Sequence, residues 1–470
     1  MDKTSQTSNK AIEIFKRILP SPFTIAILLS IVTIIIAQIL TKPADTSHTS
    51  YLLKLITSWE DGLWDSSPGG LYFAFQMMLI LVLGHVLALT PFINRLIQQL
   101  IKYCTNTSNS VIIISLGAMI IGLINWGMGL IFGAILARKV GEKFAKENRP
   151  INYGLVGAAA YVAMMVWHGG LSGSATTKSM EEGYIPEMMR NIGSTSTFPD
   201  SIPFNETIGS SLNITVTIAC LIIIPLFLYF LSKKTKNTEK VPHFKEQFEE
   251  DKAIKTIKRK GAEKLDYSRA FGIGLGSLFV IYGIYKATQY EGESTLGFIQ
   301  LNFINFMFLG LGLTLHQTIT NFGNALQKAI GDVSGILIQF PFYFGILAIM
   351  NSSGLINLFS DSITSIASAE SLPIYTFISA SIVNFFVPSG GGQWAVQGPI
   401  ILETAQQLGS NIPKNILAMA YGDQLSNMLQ PFWALPLLGI TKLKPQQLLP
   451  YTFLLCMVGL IIFIVALVIF

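Results

Sequence analysis

Leu19 to Leu40 carry no charged side chain, and an apolar run of that length spans the ~30 Å hydrocarbon core of a bilayer as a helix. The candidate span is placed at 22–40, and ten more apolar runs follow at 71–89, 111–136, 154–170, 208–231, 270–287, 300–316, 333–350, 374–408, 415–440 and 451–470. Charged residues make up 13% of the chain, against about 25% in soluble domains, and the deficit is spread along its length. The sequence therefore predicts an all-α polytopic membrane protein. The first run lacks a small-residue cleavage site and reads as a retained helix, not a signal peptide. Cys104, Cys220 and Cys456 lie far apart without CxxC spacing, which argues against a disulfide framework or a zinc centre. The net charge of +5 is concentrated in a few loops, so it belongs to topology and not to nucleic-acid binding. No phosphate-cradling Walker motif occurs, which argues against ATP-driven pumping within this chain.

Two of the runs are too long for one crossing, and both hold helix breakers. The run 111–136 contains Asn125-Trp126-Gly127-Met128-Gly129. The run 374–408 contains Pro388-Ser389-Gly390-Gly391-Gly392, followed by Pro399. An unpaired backbone group in hydrocarbon costs several kcal/mol, so such breaks must face protein or water. Loop charge then threads the chain. Segment 232–269 holds twelve Lys or Arg against seven Asp or Glu, and the positive-inside rule makes it cytoplasmic, as Lys3, Lys10, Lys16 and Arg17 make the N-terminus. Arg95 and Lys102 precede 111–136, and Arg138, Lys139, Lys143, Lys146 and Arg149 follow it; both clusters belong inside, so that run is expected to be a re-entrant hairpin. The same threading makes 374–408 a hairpin entering from outside, built from two half-depth helices.

The two halves also correspond in sequence. Asn125 precedes a glycine-rich turn, and Ala158-Ala159-Ala160-Tyr161 follows; Asn384 precedes Gly390-Gly391-Gly392, and Ala418-Met419-Ala420-Tyr421 follows. A second break comes after each Tyr: Trp167 to Ser174 in one half, and Ser426 to Pro431, then Pro436, in the other. The expected organisation is an N-terminal repeat over 1–231 with hairpin 111–146 and broken helix 154–175, and a charged linker over 232–269. An inverted C-terminal repeat follows over 270–470 with hairpin 374–408 and broken helix 415–440. Inverted repeats with interrupted helices are a transporter signature, because breaks at membrane depth offer free backbone groups to ions and anions.

"NWGMGLIFGAILAR" (125–138), "VWHGGLSGSA" (166–175), "NFFVPSGGGQWAVQGP" (384–399) and "AYGDQLSNMLQPFWALPLLGIT" (420–441) resemble the short-chain fatty acid transporter family, carriers of acetoacetate- and butyrate-type anions. The hydropathy profile follows that family over nearly the whole chain. The resemblance implies an ion-transporter-type fold, a homodimer in the bacterial cytoplasmic membrane, and coupling to H⁺ or Na⁺. No cofactor is expected beyond Na⁺ as a coupling ion.

Candidate site residues follow from the breaks. Ser389, Gly390, Gly391, Gly392 and Gln393 at the second hairpin tip offer N–H groups and side-chain hydrogen bonds to a carboxylate, or else simply permit a tight, close-packed turn. Gly127 and Gly129 are their counterparts at the first tip. His168 is placed to hydrogen-bond the carboxylate or carry a proton, or else to be satisfied by freed carbonyls. Ser172 and Ser174 add hydroxyls. For the coupling ion the candidates are Asn125, Asn384, Asp423 and Asn427. Asp423 is an acid within an otherwise uncharged span, a functional hypothesis by default, and Asn427 and Gln430 share its helical face. Trp126, Trp394 and Trp433 are candidate pocket walls; His85 and His316 read as structural. Two alternatives stand: a carrier for a dicarboxylate or amino acid, and a membrane-embedded hydrolase or acyltransferase using His168 and Ser172. The spans near the breaks hold no interior Arg or Lys for a second carboxylate. "HGGLSGS" lacks the Gly-x-Ser-x-Gly spacing of a nucleophile elbow.

Overall fold

The computed structural model describes residues 22–64, 71–180, 182–191, 194–235, 261–290, 301–355, 366–386 and 390–470, with single positions at 298, 358 and 362. Among these the regular structure is helical throughout. The N-terminal part comprises α1 (Pro22–Leu40), α2 (His48–Leu63), α3 (Leu71–Ala88), α4 (Pro91–Tyr103), α5 (Thr107–Ile124), α6 (Trp126–Lys146), α7 (Tyr153–Tyr161), α8 (Ser174–Lys178), α9 (Tyr184–Asn191) and α10 (Ser211–Lys234). The C-terminal part comprises α11 (Arg269–Thr288), α12 (Leu301–His316), α13 (Ile319–Ala329), α14 (Ser334–Ser352), α15 (Leu372–Phe386), α16 (Gly390–Leu408), α17 (Ile412–Ser426), α18 (Pro431–Thr441) and α19 (Pro445–Ile469). Helices cover the expected apolar runs, α10 extending to Lys234 and α11 starting at Arg269. Three amphipathic helices, α2, α4 and α13, were not anticipated, because each is short and mixes charged residues into its apolar stripe. The N-terminal tail and most of the linker lie outside the described residues.

Both overlong runs fold as helical hairpins, α5–α6 and α15–α16. Their arms are longer than the expected half-depth. At 1.5 Å per residue, the 18 residues of α5 make about 27 Å, and the 15 of α15 about 22 Å. Both tips therefore reach well past the middle of the ~30 Å core if the open ends sit at the interface.

The open ends of the two hairpins lie at opposite ends of α19. At the first, Asn152 Nδ2 donates to Tyr451 Oη near the start of α19 (2.9 Å) and to Thr235 Oγ1 after α10 (3.2 Å), and its backbone N–H donates to Thr107 Oγ1 (3.2 Å). Lys143 Nζ caps the C-terminus of α4 at Ile101 O (3.0 Å) and Cys104 O (3.3 Å). At the second, Ser410 Oγ donates to Ala369 O (2.7 Å), and Glu370, Asn411 and Lys414 line one depression with Leu467 to Phe470, the end of α19. Among the described residues, Lys143 and Arg149 lie at the first end. Arg138 and Lys139, counted from sequence as loop residues, are buried in α6. They share Glu142 (3.0 and 2.9 Å), and Arg138 Nη1 also caps α18 at Ile440 O (3.3 Å).

Gly129 explains the tightness of the first hairpin. A Cβ built there would stand 2.5 Å from Gly122 Cα and 2.9 Å from Ala118 O on the facing arm. Gly129 is a packing position between the two arms. Gly129→Ala should destabilise the protein by ~1–3 kcal/mol, the usual cost of overpacking. It should register as a fall of several degrees in the melting temperature of the detergent-solubilised protein.

Candidate functional site

The first hairpin turns on a single residue. Asn125 is the one extended residue between α5 and α6; its N–H donates to Ile121 O (2.9 Å), and its Oδ1 accepts from Met128 N–H (3.1 Å). It thus caps the end of one arm and the start of the next. The tip is fixed to the first break: Trp126 N–H donates to Ser172 Oγ (3.0 Å), and Leu171 N–H to Leu123 O (2.7 Å).

That break starts earlier than the sequence indicates. The helix tightens into 3₁₀ turns at Val162–Met165 and Trp167–Gly169 before it opens. Several of the freed backbone groups find side-chain partners, and two of them are served by one residue from the other half of the chain. Gln424 Oε1 on α17 accepts from the N–H groups of His168 (3.1 Å) and Gly169 (3.3 Å). Asn213 Nδ2 donates to Gly169 O (2.8 Å), and Tyr421 Oη donates to Asn213 Oδ1 (3.1 Å). Thr176 Oγ1 donates to His168 O (3.0 Å).

The His168 ring is held from both sides. Its Nε2 accepts from Ala175 N–H at the start of α8 (3.0 Å), which assigns the ring proton to Nδ1 in the neutral tautomer. Nδ1 lies 2.8 Å from Asp423 Oδ2, and both side chains are wholly buried. This contact is close without being aligned as a hydrogen bond, and neither Asp423 oxygen has a hydrogen-bond partner among the described residues. With both ring nitrogens so placed, none is left to activate Ser172, whose Oγ serves the first hairpin tip. The geometry therefore argues against the hydrolase arrangement.

The second break repeats this pattern in reverse. Tyr161 Oη from the N-terminal half donates to Asn427 O (2.8 Å), with Gln430 O also near (3.3 Å). Asn384 Nδ2 lies 2.8 Å from Asp423 O, 2.9 Å from Ser426 Oγ and 2.8 Å from Asn427 Oδ1. Gln430 Nε2 donates back to Asn384 O. Asn384 thus binds the broken helix. The Oδ1 of Asn384 and Oε1 of Gln430 are buried without a donor among the described residues.

The second hairpin tip meets this assembly at Gly390. A Cβ there would stand 2.6 Å from Trp167 Cη2, 2.8 Å from Asp423 Oδ2 and 3.1 Å from His168 Cε1. Only glycine fits against that triad. Gly391 is exposed and faces Ser174 with room to spare, the nearest approach being 3.7 Å to Ser174 Oγ. Gly392 is half-buried next to it, and Ser389 lies outside the described residues. Gln393 points away from the tip: its Nε2 donates to Ala380 O (2.9 Å) and Gln397 Oε1 (2.9 Å), which ties α16 to α15. Both of its N–H groups are committed within the hairpin, so it has none for a carboxylate.

The structure thus brings together His168, Asp423, Asn384, Asn427 and Gly390, with Gly391 and Ser174 beside them. Asn125, Ser172 and Gly129 shape the first hairpin instead. Trp126 and Trp433 pack edge to face (5.0 Å), and Trp167, absent from the sequence candidates, stacks on His168 (4.4 Å). Trp394 packs elsewhere, among Met188, Met189 and Leu402. Sequence reasoning missed Gln424 and Asn213 as site residues. Gln424 stands beside Asp423 in the same uncharged span, a signal that was available; Asn213 had only its polarity within an apolar run. His316, whose Nε2 contacts Val86 O (2.9 Å), fits its structural reading.

A family model of short chain fatty acid transporters matches residues 4–470. A relative in Escherichia coli, provisionally named a short-chain fatty acid transporter, is 33% identical over 97% of both chains. One of the same provisional name in Haemophilus influenzae is 34% identical over 94% of both. Solved structures that resemble the chain include the YdaH transporter of Alcanivorax borkumensis (TM-score 0.45, 15% identity, covering 96% of this chain and 98% of that one). Another is MtrF of Neisseria gonorrhoeae, from a class of antimetabolite efflux pumps (TM-score 0.41, 15% identity, covering 97% and 96%).

The two tip glycines make a paired test. In reconstituted protein, Gly390→Ala should lower solute uptake at least tenfold, because the methyl group displaces His168 or Asp423. Gly391→Ala should cost less than about threefold. Equal tolerance at both positions would remove the close approach at Gly390 from the working site.

Proposed function

The chain belongs to the short-chain fatty acid transporter family, and we propose that it is a secondary carrier for small monocarboxylates such as butyrate and acetoacetate, moving them by alternating access together with H⁺ or Na⁺. One observation carries this reading. The carboxylate of Asp423 is fully buried at the meeting point of two helix breaks and a glycine tip, beside a neutral His168 and with no hydrogen bond to its oxygens. An isolated charge at that depth is costly, and intramembrane acids mark ion and substrate paths.

That charge also sets the order of events. Two like charges 4 Å apart repel by about 4 kcal/mol at an effective dielectric of 20. A substrate carboxylate near Gly391 and Ser174 therefore needs Asp423 neutralised first, by a proton or by a sodium ion. Asn384 Oδ1 and Gln430 Oε1 are the neutral oxygens nearby that still lack donors, and both suit a cation. Cation first and anion second is co-transport by electrostatics. Among the residues gathered at the site none is Lys or Arg, so a second carboxylate would have no partner; this favours monocarboxylates over dicarboxylates. The tryptophans at 126, 167 and 433 supply an apolar wall that suits a short acyl chain.

For the motion, we read residues 1–231 and 270–470 as inverted repeats joined by the charged linker. The opposed open ends of the hairpins support that reading, as do the reciprocal Tyr161 and Tyr421 contacts. The basic end is taken as cytoplasmic, in a bacterial inner membrane, and the working unit as a homodimer.

Uptake of labelled butyrate or acetoacetate into proteoliposomes, with Na⁺ and pH gradients imposed separately, tests the function. Absence of uptake for every short monocarboxylate under both gradients would sink it. Asp423→Asn should abolish gradient-driven uptake while the protein remains folded and monodisperse; wild-type coupling in that variant would exclude Asp423. For topology, Glu147→Cys should label from the cytoplasmic side and Asn411→Cys from outside, against a low background because the three native cysteines are buried. Labelling of both from one side would overturn the threading.

A further inference from the structure

Asp423 and Gln424 are consecutive on α17, about 100° apart around the helix, yet both reach the same break. Asp423 faces the His168 ring. Gln424, 1% exposed, places its amide oxygen between the N–H groups of His168 and Gly169 (3.1 and 3.3 Å). Two adjacent backbone N–H groups converging on one oxygen form the arrangement that also receives a carboxylate oxygen. Here a neutral side-chain oxygen from the opposite half of the chain holds that position.

We infer that Gln424 is the positioning residue that carries the state of charge at Asp423 to the anion-binding break at His168. The inference rests on the carrier reading above. With Asp423 charged, its attraction for the proton on His168 Nδ1 draws this turn of α17 against the break, and Gln424 Oε1 stays on the two N–H groups. A cation on Asp423 removes that attraction. The turn relaxes, Gln424 withdraws, and the N–H groups of His168 and Gly169 pass to the substrate carboxylate, with Ser174 beside them. His168 is the ionisable side chain in contact with Asp423 among the described residues; the other elements present neutral groups, Gly390 from α16 at the carboxylate, Asn384 from α15 at the Asp423 main-chain carbonyl, and Trp167 stacked on His168. Tyr161 joins the other break to the N-terminal half but does not touch the N–H pair, so it shares the scaffolding role without the signalling one.

The measurement is the KM for butyrate in proteoliposomes as a function of the cation that drives uptake, Na⁺ or H⁺, varied over about a hundredfold. In the native protein KM should fall at least tenfold as the cation rises. Gln424→Met keeps the length and removes the acceptor, so KM should vary less than about twofold over the same range. Gln424→Glu keeps an acceptor and adds a charge beside Asp423. It should retain the cation dependence but shift its midpoint at least fivefold toward lower cation concentration. A native dependence of KM in Gln424→Met overturns the inference. If Gln424→Met is not recovered as a monodisperse protein, an unshifted midpoint in Gln424→Glu overturns it instead. Native protein without monocarboxylate uptake would bring down the carrier reading and this inference with it; cation-dependent native uptake with an unaltered Gln424→Met profile brings down the inference alone.

Discussion

Backbone groups that leave a helix inside an apolar interior must find new partners, and the centre of this protein is organised around that requirement. Each break finds partners in the other half of the chain. Gln424 and Tyr421, the latter through Asn213, serve the break at His168, while Tyr161 serves the break at Asn427. A hydrogen bond to a buried backbone group contributes only about 1 kcal/mol net, but leaving the group unpaired costs ~1–3 kcal/mol. Neither break can therefore move without its counterpart at low cost. The two halves are tied at the same depth by hydrogen bonds that are few, specific and exchangeable. Exchangeability matters, because a centre sealed by apolar packing alone would have no alternative set of partners to offer.

Against this satisfied background the unsatisfied groups stand out. The oxygens of Asp423, Asn384 Oδ1 and Gln430 Oε1 are buried acceptors without donors, and they lie within one short stretch around the second break. Native interiors hold few such groups, and each calls for a physical reason. Asn427 Nδ2 beside them is a buried donor that also lacks a partner among the described residues, but the oxygens predominate, and they call for a cation or a hydrogen-bond donor. The first break offers the opposite character, a pair of backbone N–H groups, at present covered by Gln424. The two breaks thus differ in character, one rich in buried acceptors and the other presenting paired donors.

Much of this was legible in the sequence because helix breakers in apolar runs are hard to place otherwise. The glycine triplet at 390–392, Asn125 and the two segments after Tyr161 and Tyr421 located both hairpins and both breaks within a few residues. Asp423 was legible as an acid in an uncharged span. What was not legible is which polar group meets which. Gln393 stands next to the triplet and reads as a ligand, yet helical geometry turns it toward Gln397, four residues on, and Ala380 on the facing arm. Gln424 is as plain a residue as Gln393, and only the crossing of α17 over the first break gives it a role. The amphipathic helices α2, α4 and α13 escaped for a different reason: a search for long uncharged runs passes over short helices whose apolar stripe is interrupted by polar and charged residues.

The close approach at Gly390 follows from the same geometry. An ion pair or a carboxylate could be held by a long side chain reaching in from a distance, but no such side chain, Lys or Arg, is gathered here. The tip instead brings its backbone against Asp423 and His168, with the Cβ position itself closed off at 2.6–3.1 Å. Backbone contact holds the site at fixed distances without a permanent positive charge. A fixed Arg would hold an anion in either state of Asp423 and would detach anion binding from the cation. In the proposed carrier, a neutral cradle beside the Asp423 carboxylate would make anion binding depend on the state of that carboxylate, which is what coupling requires.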